Sequence, residues 1–436
     1  MIICYGCRVL DPTLFQDLES RGLIRQVTDS ELVTTLTREP MTVYAGFDPT
    51  ADSLHVGHML PLLTLRRFQL AGHRVIALAG GATGMVGDPS EKTNERSLLT
   101  EELISKNLEG ITAVISRFLD LSGPNPALIL NNADWFGKFS YLGFLRDIGK
   151  HFTVNHMLGK ESIRARLEDR EHGISYTEFS YMLMQAYDFY FLNQKHQCRL
   201  QIGGSDQWGN ITAGTELIRR MNTATSNTTV FGLTQPLITK SDGTKFGKTE
   251  QGAVWLDAQK TSVYQFYQFF IQTPDSDTIA YLKKFTFLPL SEISRLEDLL
   301  KTEPEKRAAQ KTLASEMTKL VHGASELSRV EKASRSLFGA EIRTLDAQTL
   351  LEIFAGAPSL EKPRSTLIGS ELLELIVESG LLTSKGNARK EITAGGVYLN
   401  NERVTDIGYK IGTQDLIADR YIALRRGKKN YCLLKC

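Results

Sequence analysis

Two short stretches carry side chains suited to binding phosphate. The first runs Asp48-Pro49-Thr50-Ala51-Asp52-Ser53-Leu54-His55-Val56-Gly57-His58. It places two imidazoles around a glycine where a helix should begin. A helix N-terminus carries about half a positive charge, and imidazoles can donate to phosphate oxygens. On a plainer reading, His55 and His58 only cap the helix. Two zinc ligands on one helix face need i, i+4 spacing, which this pair lacks. The second stretch, Lys245-Phe246-Gly247-Lys248-Thr249, puts two ammonium groups and a hydroxyl on a glycine-flanked loop. It reads either as a solvated loop or as a cationic clamp that closes over a polyphosphate as charge builds on it.

The elements around these stretches have a consistent pattern. Thr42–Phe47 alternates β-branched, aromatic and small residues as a buried strand does, and Asp48-Pro49 stops it. Leu54–Leu70 reads as a helix, with Pro61 in the first turn, where backbone N–H groups lack intrahelical partners. Gly72 caps it. Arg74–Ala79 is a second strand, running into the glycine-rich loop 80–90. Strand, helix and strand make a right-handed βαβ unit, so the chain is α/β with a parallel doubly wound sheet. Ligands of such sheets bind at the C-terminal strand ends, where the histidines and the glycine loop both fall. Further expected elements are a helix over Glu101–Leu119, a strand over Ala127–Leu130 ending in the loop 131–135, and a helix over Ser175–Leu192. A strand over Leu200–Ile202 and a helix over Ile211–Met221 follow.

The pattern divides the chain into a helical lead-in (1–41), a Rossmann-like domain (42–260), a helical domain (261–345), a linker (346–368) and a small α+β domain (369–436). The chain has 436 residues, 42% hydrophobic and 23% charged, with a net charge of +1. That is ordinary for a soluble globular protein and points to no partner by itself. Five scattered cysteines do not make a disulfide framework, which argues for a reducing compartment. Cys4 and Cys7 form a C-x-x-C, but no second pair stands near it, and no bound metal is expected. No apolar run approaches a membrane span, and no secretory or transit pattern opens the chain, so a cytoplasmic location is expected.

The histidine and lysine stretches, in this order on a βαβ pattern, resemble the two signatures of class I aminoacyl-tRNA synthetases. Tyr-Ala-Gly-Phe-Asp-Pro-Thr (44–50), Gly-Asp-Pro-Ser (87–90), Glu-Phe-Ser-Tyr-Met-Leu-Met-Gln-Ala-Tyr-Asp (178–188) and Gly-Gly-Ser-Asp-Gln-Trp-Gly-Asn (203–210) resemble the bacterial tyrosyl branch of that class. The resemblance runs from about Tyr44 to the C-terminus. It implies that tyrosine is activated with ATP and Mg²⁺ to tyrosyl-adenylate and then passed to tRNA(Tyr). It also implies roles for individual residues. Thr50, His55, His58, Lys245, Lys248 and Thr249 would serve the triphosphate. Asp48, Gly57, Gly204, Asp206 and Lys248 would contact ATP. Lys92 and Arg96 would act on pyrophosphate or tRNA from a loop. Glu91 stands where the family often has glycine, and Pro61 falls in a turn that varies.

Physical chemistry supports the amino-acid choice separately. Asp188 lies in the apolar aromatic run Ala-Tyr-Asp-Phe-Tyr-Phe-Leu, where a buried charge needs partners. With Tyr44 it can flank a phenolic hydroxyl at a pocket floor. Asp88, Tyr181, Gln185 and Gln207 can take an α-ammonium. Residues 369–436 hold 11 Lys and Arg against 8 Asp and Glu, a net +3, concentrated in Arg425-Arg426-Gly427-Lys428-Lys429. A basic cluster on a small domain suits an RNA backbone. It resembles an RNA-binding module shared with a ribosomal protein. The family resemblance also implies a homodimer, with the contact expected in about 130–195. A tryptophanyl relative, another adenylylating ligase and a non-catalytic RNA-binding relative stand as alternatives, separable by amino-acid-dependent ATP–pyrophosphate exchange.

Overall fold

The computed structural model describes residues 10–90, 98–168, 173–222, 229–241, 243–244, 246–249, 252–336, 340–355, 357–427 and 430–436. Cys4, Cys7, Glu91, Lys92, Arg96, Lys245, Lys428 and Lys429 lie outside the described residues. Lys248 and Thr249 are placed by their backbone. The chain packs as two compact units. One holds residues 1–260 and 273–313, the other 261–272 and 314–436. The helices between Ser262 and Leu345, expected as a domain of their own, therefore divide between the units. Pro274 and Pro289 punctuate them by standing at helix N-termini.

The first unit is built on six strands: β1 (Gln26–Val27), β2 (Thr42–Phe47), β3 (Arg74–Ala79), β4 (Leu128–Asn131), β5 (Cys198–Gly204) and β6 (Phe231–Gln235). Their order is β1-β6-β5-β2-β3-β4. All neighbours pair in parallel except β1, which runs antiparallel to β6. β1 lies in the lead-in expected to be helical; two residues show no period, and the partner strand dictates their extension. β2 and β3 occupy the bounds expected from their β-branched and apolar residues.

Chain order reverses direction between β2 and β5, which makes their carboxyl ends the switch point where open α/β sheets bind ligands. Pairing between these two strands stops at Tyr44 opposite Gln201. β2 continues beside β3 to Phe47, and β5 beside β6 to Gly204. The facing edges of β2 and β5 thus part over their last residues.

One buried titratable group lies away from this cleft. His73 is fully buried, and its Nδ1 accepts the Met41 N–H at 3.2 Å. Burial pushes its pKa down to about 4. The unfolded chain takes up this proton near pH 6.5, while the folded one resists until about 4. Stability should be full above 6.5 and fall by about 3 kcal/mol as pH drops to 4. Thermal melts across that window should show a shallower acid limb for His73→Gln; an unchanged slope would rule His73 out.

The second unit carries a five-stranded sheet of β9 (Ser359–Glu361), β10 (Val397–Leu399), β11 (Glu402–Arg403), β12 (Tyr421–Arg426) and β13 (Asn430–Lys435). β10 and β11 form the hairpin expected from Asn400-Asn401, whose φ values of 49° and 65° are those asparagine tolerates in a two-residue turn. Leu372, Ile376, Ile392, Leu424 and Leu434 fill its core. Residues 346–368, expected as a linker, instead hold the helix Ala347–Ile353 and strand β9, which pairs in parallel with β13. A three-residue strand carries too little periodicity to be seen, and its pairing is set by a partner some 70 residues on.

Candidate active site

The parted ends of β2 and β5 open into a cavity of about 560 Å³. Its walls carry Tyr44, Asp48, Thr50, His55, Gly57 and His58 from the first stretch, and Asp88 from the glycine loop. Tyr181, Gln185 and Asp188 enter from the helix Tyr176–His196; Gly204, Asp206 and Gln207 come from the end of β5. Phe246 and Gly247 of the lysine stretch reach the same cavity, as does Pro61. The structure thus gathers every described residue expected at the site except Lys248 and Thr249, whose backbone forms β7 (Lys248–Thr249), paired antiparallel with β8 (Gly252–Ala253) in a separate two-stranded sheet.

The histidines cap the turn, and the same contacts leave each ring able to donate. His55 Nδ1 accepts the Gly57 N–H at 3.0 Å, and His58 Nδ1 accepts the His55 N–H at 3.2 Å. Each ring therefore caps backbone donors through Nδ1. A neutral imidazole accepting at Nδ1 carries its proton on Nε2, so each is set as a donor there. The rings lie 4.0 Å apart. Capping fixes the tautomer, and the tautomer suits an anion. The capped turn Val56–His58 is a 3-10 segment, so the α-helix starts at Met59, later than its apolar pattern suggests.

At the other end, Asp188 is buried among aromatic rings. Trp135 Nε1 donates to its Oδ1 at 2.8 Å and Asn132 Nδ2 to its Oδ2 at 3.0 Å. Those two donors favour the carboxylate, but burial outweighs them and the pKa rises to about 8. Tyr44 is buried too, and its hydroxyl has no hydrogen-bond partner among the described residues. A buried orphan hydroxyl is costly and calls for an occupant. A phenol placed here would donate to Asp188 and accept from Tyr44.

Between the two ends runs a polar chain. Tyr181 donates to Asp48 at 2.8 Å, and Thr83 to the other Asp48 oxygen at 2.8 Å. Asn132 donates to Thr83 at 3.0 Å, which links Asp48 to Asp188. Burial first, and then the charge of Asp48, keeps the Tyr181 phenol protonated far above neutral pH. Gln207 bridges Asp88 at 2.7 Å and Asp206 at 2.8 Å. Converging carboxylates of this kind suit a cation. Gly80 makes the chain possible: a Cβ there would lie 2.1 Å from Asp48 Oδ1 and 2.4 Å from Thr83 Oγ1.

Sequence reasoning had no role for Thr83, Asn132 and Trp135. Each stands just past a strand's carboxyl end, which is the one signal that could have found them.

Replacing Tyr44 by phenylalanine tests the floor. Losing one hydrogen bond of about 1 kcal/mol should weaken tyrosine binding roughly fivefold, while removing the orphan hydroxyl should raise the ligand-free melting temperature. Unchanged tyrosine affinity would remove Tyr44 from the site.

Comparisons with known proteins place the chain in a family. A profile described as tRNA synthetases class I (W and Y) matches residues 36–339, and one described as the tyrosine–tRNA ligase SYY-like C-terminal domain matches residues 350–434. The chain is 54% identical to a tyrosine–tRNA ligase of Bacillus velezensis, over 97% of its own length and 99% of that protein's. It is 50% identical to one of Roseiflexus castenholzii at the same coverage. Among solved structures, a C-terminally truncated mitochondrial tyrosyl-tRNA synthetase of Aspergillus nidulans superposes with a TM-score of 0.67 at 35% identity, over 74% of this chain and 94% of that one. By the two profiles it matches and the relatives it shares nearly its whole length with, the chain belongs to the tyrosine–tRNA ligase family of class I tRNA synthetases.

Proposed function

We propose that the cavity divides the family's reaction between its two ends. The observation that carries this reading is the pair at the floor: a buried Asp188 held by two donors, and a buried Tyr44 hydroxyl with no partner among the described residues. The phenol of L-tyrosine sits there. Its ammonium lies among Asp88, Tyr181, Gln185 and Gln207, with Asp48 held ready by Tyr181. Its carboxylate then points toward the histidine turn and attacks the α-phosphate of ATP, releasing pyrophosphate. A carboxylate is already nucleophilic at neutral pH, so no general base is required. The rate comes from alignment and from stabilising charge on phosphate oxygens. His55 and His58 donate through Nε2, joined by Thr50 and by Lys245, Lys248 and Thr249 of the lysine stretch. Asp48, Gly57, Gly204 and Asp206 hold the nucleotide side, Lys92 and Arg96 attend the departing pyrophosphate, and ATP enters as its Mg²⁺ complex. The tRNA terminal ribose then takes the tyrosyl group.

Two further parts of the reading concern assembly and place. Tyr141, Leu142, Val154 and Tyr176 are each more than half exposed and fall in the stretch 130–195, which supports a homodimer through that face. The buried thiols of Cys198 and Cys432 support a reducing, cytoplasmic setting. Among the described residues no helix is long and apolar enough to cross a membrane.

Tyrosine-dependent ATP–pyrophosphate exchange tests the central reading. Exchange with tyrosine and background levels with tryptophan and phenylalanine are expected. Equal exchange with phenylalanine would remove Asp188 and Tyr44 from the role given to them.

A further inference from the structure

His55 stands at the phosphate end of the cavity, and its imidazole must be held as well as capped. The segment that holds it lies outside the cavity. Residues Val254–Leu256 run antiparallel to Leu54–Val56: the Val56 N–H donates to the Val254 carbonyl and the Leu256 N–H to the Leu54 carbonyl, each at 2.9 Å. This directly pairs His55 with Trp255. The Trp255 indole meets the His55 ring edge-on, with centroids 6.0 Å apart and planes at 67°. Edge-on aromatic contacts of this size are directional.

Trp255 is itself braced. The Lys260 ammonium sits 5.2 Å from the centre of the indole and also pairs with Asp52 at 2.5 Å. Asp52 lies three residues before His55, so the brace starts and ends on the same turn. On its other side the same segment joins the lysine stretch. The Val254 N–H donates to the Gly247 carbonyl at 2.9 Å, and Lys248 and Thr249 pair with Ala253 and Gly252. Gly247 has a φ of +82°, and a Cβ there would lie 2.5 Å from the Val56 side chain.

We propose that Trp255 is a positioning residue for this reaction: braced by the Lys260–Asp52 pair, it fixes the His55 imidazole at the angle from which Nε2 meets the phosphate. This rests on the role given to His55 above. Trp255 does not line the cavity, so its effect passes through His55 and leaves the tyrosine floor untouched.

The test is a double-mutant cycle read by rapid-quench measurement of tyrosyl-adenylate formation in the full-length protein. Trp255→Leu should lower the rate constant about tenfold, since a small misplacement of a reacting group is costly. Its tyrosine dissociation constant should stay within about twofold, and Trp255→Phe should recover most of the rate by restoring an aromatic edge. On a His55→Gly background, Trp255→Leu should cost nothing further, because the group it positions is gone. Full additivity of the two losses, or equal weakening of tyrosine binding, would overturn the proposal. A His55→Gly protein with the wild-type rate would overturn the site reading itself, and this inference with it. Should Trp255→Leu not fold, Lys260→Met loosens the brace from its solvent side. Its loss of about two- to threefold should likewise vanish when His55 is absent; a loss that persists there would overturn the proposal.

Discussion

Replacing Asp188 by asparagine should cut the kcat/KM for tyrosine in pyrophosphate exchange by about 10²–10³, while that for phenylalanine changes by less than about threefold. The phenol loses the carboxyl oxygen that accepts from it, worth several kcal/mol once the unpaired partner left in the cavity is counted. Phenylalanine never used that acceptor. The same substitution should alter stability in a direction set by pH. In the unfolded chain the carboxyl ionises above about 3.8; in the cavity it keeps its proton until about 8. Each pH unit between those values costs the folded state about 1.36 kcal/mol, or about 4 kcal/mol from pH 5 to pH 8. Asparagine does not titrate, although it leaves Trp135 or Asn132 without one acceptor, at about 1–3 kcal/mol. The melting temperature of Asp188→Asn relative to wild type should therefore climb as pH rises from 5 to 8. A difference that is flat with pH would mean that the carboxyl is ionised throughout, and the burial argument would fail.

Ending the chain at Ala355 should leave tyrosine-dependent exchange within about twofold of wild type and lower kcat/KM for tRNA charging by about 10² or more. The cavity is lined wholly by residues before 254. The C-terminal sheet has its own core, from Leu367 to Leu434, and β9 belongs to it, so the cut falls ahead of β9 rather than at Gly369. On the central strand of that sheet, β12, the Arg425 guanidinium lies 3.7 Å over the Tyr398 ring of β10, within the basic run expected to meet RNA. A tethered second binding module raises affinity by about 10²–10⁴ without new chemistry, and contacts to phosphate make that contribution weaken with salt. Charging by the shortened chain should accordingly lose most of its dependence on salt. Charging that survives at the wild-type level, with its salt dependence intact, would place the RNA contact elsewhere.

The residues that were legible in the sequence share a property: their own neighbours announce them. Thr42–Phe47 and Arg74–Ala79 are strands by composition, and Asp188 stands out because everything around it is apolar. The histidine turn was legible as a motif. Its capping geometry, and the shift of the helix start to Met59, depend on side-chain angles that no spacing encodes. Thr83, Asn132 and Trp135 could not be assigned because their meaning is relational: Thr83 serves Asp48 from the end of β3, and Asn132 and Trp135 serve Asp188 from the end of β4. Trp255 is the extreme case, 200 residues from the histidine it touches. Short strands escaped for a related reason. β1 and β9 are extended because a partner pairs with them, and their own residues do not ask for it.

The parting of β2 and β5 beyond Tyr44 has a consequence for how the molecule breathes. A sheet closes like a zip, and here the zip stops where the chemistry begins. Amides on the two facing edges past Tyr44 and Gln201 lack the cross-strand partner that shields their neighbours, so they should exchange with deuterium early in the free protein. Those on the β3 and β6 sides should exchange late. An aminoacyl-adenylate lying along the gap would act as the missing strand. Its arrival should be visible as a slowing of exchange confined to the last residues of β2 and β5, a footprint of the intermediate written in the backbone rather than in any side chain.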